Sequence, residues 1–399
     1  MTGLDSRISS VEVLVVEGLE PPRPERSQRQ VRPLDLYAEH RAPLVRKRDG
    51  DGPGLARRAL YLRVRTRGDL EGLYGPIDEE AARVVVSLFG EFLVGQDALA
   101  GEAVWDKLER LDRHGRHGHM KMGISAIDNA LWDLRGKAFG VPVWRLLGGP
   151  SRTSIPAYAS TLGLSHDAGE LEKSAEQFVD AGFSGQKWFF AHGPGDGWRE
   201  MATNIELAER LRGVVGPVHP LMFDAFMAWD VPYARRWASA VEQLGPAWLE
   251  EPLSPGAYAG YSELRRGVRV PLAAGEHLYD RSEVLPFLKK GLISVLQTDP
   301  EWCGGVTELV RLCGLAEVFG VPLIPHGHGL HAALHVVASR SPEVCPMMEY
   351  LVTVMPSRHY FDKGAPVPTE GQLALPTAPG FGIQLDPERA TRVSPWSPI

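Results

Sequence analysis

The chain has 399 residues, a formal net charge of −7 at pH 7, and 44% hydrophobic and 23% charged residues, which is the make-up of an ordinary globular protein of one long domain or two. The acidic balance argues against nucleic-acid or anionic-membrane partners. The three cysteines, Cys303, Cys313 and Cys345, fit no zinc spacing, no basic-then-apolar leader opens the chain, and no apolar run approaches a membrane span; reduced thiols and a cytoplasmic location are expected.

Residues 8–18 alternate like a half-buried strand. Glu20–Arg32, rich in Pro, Arg and Gln, reads as a mobile surface loop and, in an enzyme, a candidate lid. A Gly-rich turn at Asp49–Gly54 precedes strand-like runs around Leu60–Val64 and Gly72–Tyr74, and residues 78–98 look helical. His114, His117 and His119 lie among glycines at no zinc spacing, so a surface loop is the simpler reading. A long helix, Ser125–Phe139, carries Ile127, Ala130, Leu131 and Leu134 on one face and ends at Gly140 and Pro142. Leu146-Leu147-Gly148-Gly149-Pro150 reads as a linker.

From Ser154 onward, strand and helix patterns alternate. Strands are expected at 155–159, 185–190, 220–224, 247–250, 271–275, 293–298, 321–325 and 347–351. Helices such as Asp167–Ala181, Arg199–Val215 and Thr307–Phe319 separate them. Eight strands and seven helices in about 200 residues predict a β/α barrel. An open doubly wound sheet is the alternative, but no Gly-rich dinucleotide turn follows the first strand. Past Leu351 the alternation stops, and the Pro- and Gly-rich residues 356–399 are expected to return onto the amino-terminal region.

Three of these runs end in a carboxylate: Asp224, Glu250 and Glu276, at even intervals of 26 residues. Any one alone is simply read as the cap of the next helix. Three at strand ends, side by side, would repel one another unless a cation lay between them, and oxygen-only ligands suit Mg²⁺. The other strand ends offer Lys187, flanked by Trp188 and Phe189, then Asp299, then His326 with His328, and finally Glu349. Asp299 and His326 are one repeat apart, and an imidazole paired with a carboxylate is a general base with a fixed tautomer. Lys187 alone would be a solvated charge; across from a metal it would hold an anionic substrate group.

Together these residues resemble the enolase superfamily in its mandelate racemase-like subgroup. The shared pattern runs from Met122 to Leu351 and includes Ser125-Ala126-Ile127-Asp128, Ala130-Leu131-Trp132-Asp133-Leu134, the Asp/Glu/Glu ladder and the Asp299/His326 pair. The resemblance implies a (β/α)7β modified TIM barrel, residues 149–352, under an α+β capping domain. That cap would comprise residues 1–148, with 353–399 returning to it. It also implies Mg²⁺ on Asp224, Glu250 and Glu276, an acid-sugar substrate and a homo-oligomer. The chain looks most like rhamnonate-type acid-sugar dehydratases, through Lys187, His192-Gly193-Pro194, Gly275-Glu276-His277, Trp302-Cys303-Gly304-Gly305 and Pro325-His326-Gly327.

Two departures bear on the chemistry. The subgroup's common Lys-x-Lys has Phe189 at its second lysine, and Phe226 stands two residues past Asp224. One face therefore lacks a second base, which favours elimination by a single histidine. His326 would take the C2 proton and return it to the departing C3 hydroxyl, Lys187 would neutralise the enediolate, and Asp299 would orient His326. Glu349, His277, Trp188 and His192 are the expected substrate contacts. Glu349 would need to be protonated or water-bridged, and His277 has a hydrogen bond to Glu276 as its other reading. A racemase, epimerase or cycloisomerase, or a non-catalytic metal-binding barrel, are the alternatives.

Overall fold

The structure is a computed structural model describing residues 5–21, 25–48 and 54–398. Strand β1 (Ile8–Glu20) is long because Val13, Val15 and their neighbours have apolar surface on both sides to bury. After it come β2 (Glu25–Gln28), β3 (Val45–Arg48), β4 (Leu55–Thr66) and β5 (Glu71–Ile77). β1 and β4 pair antiparallel over their full length, and β5 lies on the far side of β4. β2 and β3 form a separate antiparallel hairpin. The loop expected at Glu20–Arg32 is thus partly a strand, while the turn expected at Asp49–Gly54 lies almost wholly outside the described residues. The sequence of β2 has no apolar alternation, so only backbone pairing with β3 could mark it as a strand.

Helices α1 (Glu79–Val84), α2 (Gly90–Leu93), α3 (Gly101–Leu111) and α4 (His119–Phe139) pack on this sheet, and α5 (Val143–Leu146) closes the segment. α4 starts six residues before the expected Ser125. It is buried nearly all round because a second body packs on its other face.

That body begins with β6 (Ser154–Ser160), α6 (Glu170–Asp180), β7 (Gln186–Phe189), α7 (Met201–Val215), β8 (Leu221–Asp224) and α8 (Val231–Val241). It continues with β9 (Trp248–Glu250), α9 (Tyr258–Gly267), β10 (Leu272–Ala274), α10 (Arg281–Lys289), β11 (Val295–Leu296), α11 (Gly305–Phe319), α12 (His331–Ser339) and β12 (Met348–Leu351). The strands are parallel in the order β11-β10-β9-β8-β7-β6-β12. The expected seventh strand, 321–325, shrinks to one bridge between Leu296 and Leu323. Pro322 and Pro325 flank it, and proline has no N–H to give a ladder. Tyr158, Met222, Trp248, Ala273, Val295 and Ile324 form a core of their own, one side chain from each of five strands and Ile324 from beside the Leu323 bridge. This is the filled interior of a modified TIM barrel.

The cap grips the barrel through α4. Asn129 donates to Pro300 O (2.9 Å) and accepts from Val306 N (3.0 Å). Ser125 Oγ accepts from Gly304 N (2.8 Å), and Asp128 accepts from Thr307 N (2.9 Å). The tail adds α13 (Met355–Arg358), β13 (Gln372–Ala374) and β14 (Arg392–Pro395); β14 pairs with β1, so the end of the chain completes the cap sheet. Among the described residues, no helix is long and apolar enough to cross a membrane.

Candidate active site

The register of the parallel strands sets the site. Phe189, Asp224 and Glu250 are in-register neighbours on β7, β8 and β9, and such neighbours face the same side of the sheet. Lys187 enters from β7. Its Nζ is 2.5 Å from Glu250 Oε1, 2.8 Å from Glu349 Oε1 and 3.2 Å from Asp224 Oδ2. Glu250 Oε2 accepts from Gln297 Nε2 (2.7 Å) and Trp248 Nε1 (3.1 Å). Glu276 follows Gly275, where φ is +143° and a Cβ would lie 2.7 Å from Gln297 N. Only glycine lets β10 turn that tightly against β11. Phe226, Met227 and Glu251, just past β8 and β9, also hold positive φ, a strain that the packed surroundings impose.

Burial, opposed next by Lys187 at Asp224 and Glu250 and by His326 at Glu276, and reinforced after that by neighbouring carboxylates, dominates the electrostatics. It pushes Asp224 up to about 6, Glu276 to about 7 and Glu250 to about 8. Glu349 goes the other way: burial opposes its charge, but Lys187 holds it down to about 2. Burial also opposes a charge on Lys187, yet Glu250 and Glu349 raise its pKa well above the usual lysine range. Asp224, Glu250 and Glu276 therefore form a buried, oxygen-only set whose charges disfavour one another. A hard divalent cation fits that donor set and relieves that repulsion.

His326 faces this group. Its Nε2 is 3.1 Å from Glu276 Oε2, and its Nδ1 is 3.3 Å from Asp299 Oδ2. Burial opposes its charge, but Glu276 and then Asp299 push it up to about 10. Trp302 packs against His326, with ring centroids 5.1 Å apart, and against His277 and His328. Its indole N–H donates to Asp78 of the cap (3.0 Å), which also lies 2.8 Å from His328 Nε2. Beside Asp78 a cavity of about 540 Å³, lined by Arg57, Thr353, Ser357 and Arg358 among others, opens between the cap strands and the start of the tail.

The chain matches two family profiles. One, the mandelate racemase / muconate lactonizing enzyme N-terminal domain, covers residues 59–148; the other, described as enolase C-terminal domain-like, covers 170–390. The chain belongs to the enolase superfamily. An L-rhamnonate dehydratase from Saccharopolyspora erythraea is 38% identical over 321 residues, 78% of each chain. The crystal structure of a rhamnonate dehydratase from Gibberella zeae complexed with Mg superposes with a TM-score of 0.83 at 25% identity, covering 99% of this chain and 97% of that one. A racemase from Streptomyces coelicolor A3(2) with bound magnesium gives 0.77 at 26% identity, covering 96% and 99%.

In this superfamily member, Lys187, Asp224, Glu250, Glu276, Asp299, His326 and Glu349 all gather at the mouth. Trp188 does not, which corrects its expected substrate contact: it alternates with Lys187 along β7, so its ring faces the helices and is fully buried. Glu349 is also corrected. Only its protonated form is at issue: Glu349 is ion-paired with Lys187 (2.8 Å) and accepts from Gly327 N (2.9 Å), and Lys187 favours its charged form, which leaves the water-bridged contact. His192 is held by the cap, 3.3 Å from Arg29 Nη2. His277 Nδ1 lies 2.7 Å from Glu251 Oε2 and 3.2 Å from Glu276 Oε1, so any substrate contact would use Nε2. The sequence places Gln297 at the sixth strand end without indicating its bond to Glu250, and it gives no signal for Asp78 or for the placement of Trp302. It also gives none on the first strand, where Tyr158 and Ser160 adjoin Glu349.

Proposed function

We propose that the chain is a Mg²⁺-dependent hydro-lyase that dehydrates an acid sugar, an aldonate of the 6-deoxyhexonate kind, to a 2-keto-3-deoxy acid. The observation that carries this reading is the proton-transfer pair Asp299–His326, together with an apolar ring at Phe189 where the second base of the Lys-x-Lys pattern would stand. Phe189 lies beside Lys187, with Nζ 5.3 Å from its ring centroid. Racemisation at C2 needs a base on each face, whereas elimination needs only one.

Asp224, Glu250 and Glu276 would hold Mg²⁺, which supplies a divalent positive charge beside the substrate carboxylate. Lys187 faces the same carboxylate and stabilises the charge that develops on it when C2 is deprotonated. Glu276 is the group that most favours a proton on His326. With that carboxylate committed to the metal, the neutral imidazole's Nε2 takes the C2 proton, and Asp299 keeps the ring in the tautomer that can accept it and steadies the imidazolium that forms. The imidazolium then returns the proton to the C3 hydroxyl as the C3–O bond breaks, releasing water and leaving an enol that tautomerises to the ketone.

A panel of hexonates, 6-deoxyhexonates, pentonates and aldarates, assayed for semicarbazide-reactive product, tests the class. A keto product from one aldonate is expected. Deuterium exchange at C2 in D₂O without water loss would replace dehydration by racemisation, and silence throughout would leave a metal-binding barrel without this chemistry.

A further inference from the structure

A third carboxyl group stands behind the proton-transfer pair. Asp299 turns Oδ2 to His326 and Oδ1 to the backbone N–H groups of Glu301 (2.8 Å) and Trp302 (3.0 Å). The Glu301 side chain lies beside Asp299, with the two carboxyl groups within hydrogen-bonding reach of each other. Tyr74, on β5 of the cap, donates its hydroxyl to Glu301 Oε1. Glu301 is only 9% exposed, and its Oε2 makes no well-formed hydrogen bond. Among the described residues it has no ion pair. A Cβ on Gly329 would sit 2.3 Å from Oε1, so the backbone there also confines the carboxyl.

Two acids in contact in a buried site cannot both ionise at small cost. Asp299 has the imidazole and two backbone donors to hold its charge, while Glu301 has a phenol and, among the described residues, no ion-paired cation, Arg358 acting on it only across the gap. We propose that Glu301 is a positioning residue for the proton-transfer pair: as a neutral acid it holds Asp299 in place, and Tyr74 makes that hold depend on the cap. The kinetic part of this inference rests on the dehydratase reading; the protonation of Glu301 does not.

The surroundings agree. Burial, then the charge of Asp299, pushes Glu301 up to about 8, while Tyr74 and Arg358 pull it back. Asp78 lines the same narrow gap, and Cys303 lies on the same loop with its thiol pushed up by burial. Above about pH 8 Glu301 should lose its proton, repel Asp299 and slow turnover. Without the Tyr74 hydroxyl that loss should begin at higher pH.

The test uses the full-length protein with saturating Mg²⁺. Infrared difference spectra, wild type minus Glu301→Gln, should contain a protonated-carboxyl band at pH 6 to 7 that fades above about 8. This arm needs no substrate, so it decides the state of Glu301 even if no acid sugar turns over. In the kinetic arm, Glu301→Gln keeps a neutral donor and should hold kcat within about threefold while losing the alkaline decline. Glu301→Ala should lower kcat by about 10- to 100-fold with little change in KM, as loss of an orienting partner does. Tyr74→Phe, which keeps the packed ring, covers the case where Glu301→Ala does not fold; its alkaline decline should move up. The proposal is overturned if the carboxyl band is missing, if Glu301→Gln is as impaired as Glu301→Ala, or if Tyr74→Phe has the wild-type pH profile.

Discussion

Two clusters of buried ionisable side chains in this molecule are built on opposite terms. At Asp362, one carboxylate accepts from His331 Nε2 (2.9 Å), His359 Nδ1 (2.7 Å) and Tyr61 (2.6 Å). Burial opposes its charge, but the two histidine bonds hold it well below the usual carboxylate range, and burial pushes His359 down to about 4. The Asp362 carboxylate finds three donors within the cluster, which ties α12, the tail and β4 together. At the barrel mouth Asp224, Glu250 and Glu276 are pushed up instead, by burial first and then, against the pull of Lys187 and His326, by neighbouring carboxylates. A cluster that satisfies itself serves the fold. One whose charges do not cancel is arranged for something that binds there, and buried charge of that kind marks functional sites.

Breaking each cluster should therefore give opposite results. Glu276→Gln or Asp224→Asn should lower turnover by about a thousandfold or more while leaving the thermal midpoint nearly unchanged. Asp362→Asn should remove about 3–5 kcal/mol of stability, as breaking a buried charged network does, with normal kcat in the molecules that remain folded. A Glu276→Gln protein that unfolds as readily as Asp362→Asn would erase the distinction. Next in size is the base. His326→Asn should stop both C2 exchange and water loss, and Asp299→Asn should preserve binding while slowing turnover roughly 100- to 10,000-fold. Exchange that survives stereospecifically in His326→Asn would reveal a second base, for which Phe189 and Phe226 leave no group.

The contrast also predicts pH behaviour of opposite sign. Glu250, at about 8 in the fold, binds more protons folded than unfolded between roughly pH 4.5 and 8. Without metal its contribution therefore improves as pH falls through that window. His359, at about 4, is protonated first in the unfolded chain. Its contribution is present above about 6.5 and is lost as pH falls from 6.5 toward 4, at about 1.4 kcal/mol per unit. Mg²⁺ needs the ionised acids, so the gain in melting temperature on adding it should grow from pH 5 to pH 8. A gain independent of pH would argue that Mg²⁺ binds elsewhere. His359→Gln should flatten only the acid side.

How much of this was legible in the sequence follows from how each part is encoded. The barrel was legible because strands buried on both faces are plain apolar runs, and the even spacing of Asp224, Glu250 and Glu276 follows from the βα repeat. The outward direction of Trp188 was legible too: once Lys187 faces in, its neighbour faces out. The β2–β3 hairpin was not, because backbone pairing leaves no side-chain period. Nor was Tyr74 with Glu301, or Asp78 with His328, since each pair joins residues more than 200 positions apart and neither partner carries a local signal. The brevity of the seventh strand is encoded in Pro322 and Pro325, which interrupt an otherwise apolar run and remove its ladder donors.

The smallest predicted effect concerns the segment expected to be a lid. Its described part is tied down on the barrel: Gln28 N donates to Gly163 O (2.8 Å) and Val31 N to Phe190 O (2.8 Å). Arg29 Nε donates to Ala191 O (2.8 Å), and Nη2 meets Asp196 Oδ1 (2.8 Å) and His192 Nδ1 (3.3 Å). Arg29 thus braces the loop after β7, the strand that carries Lys187, without touching the mouth acids. Arg29→Met keeps the packed stem and removes the fork, so it should raise KM about three- to tenfold with kcat and Mg²⁺ affinity little changed, the pattern of lost uniform binding. Asp196→Asn should do the same more weakly. Because both act through one contact, the double variant should fall short of the sum of the two effects. An unchanged KM in Arg29→Met would mean that this tether only stabilises the cap, and the end of the substrate would have to be read elsewhere.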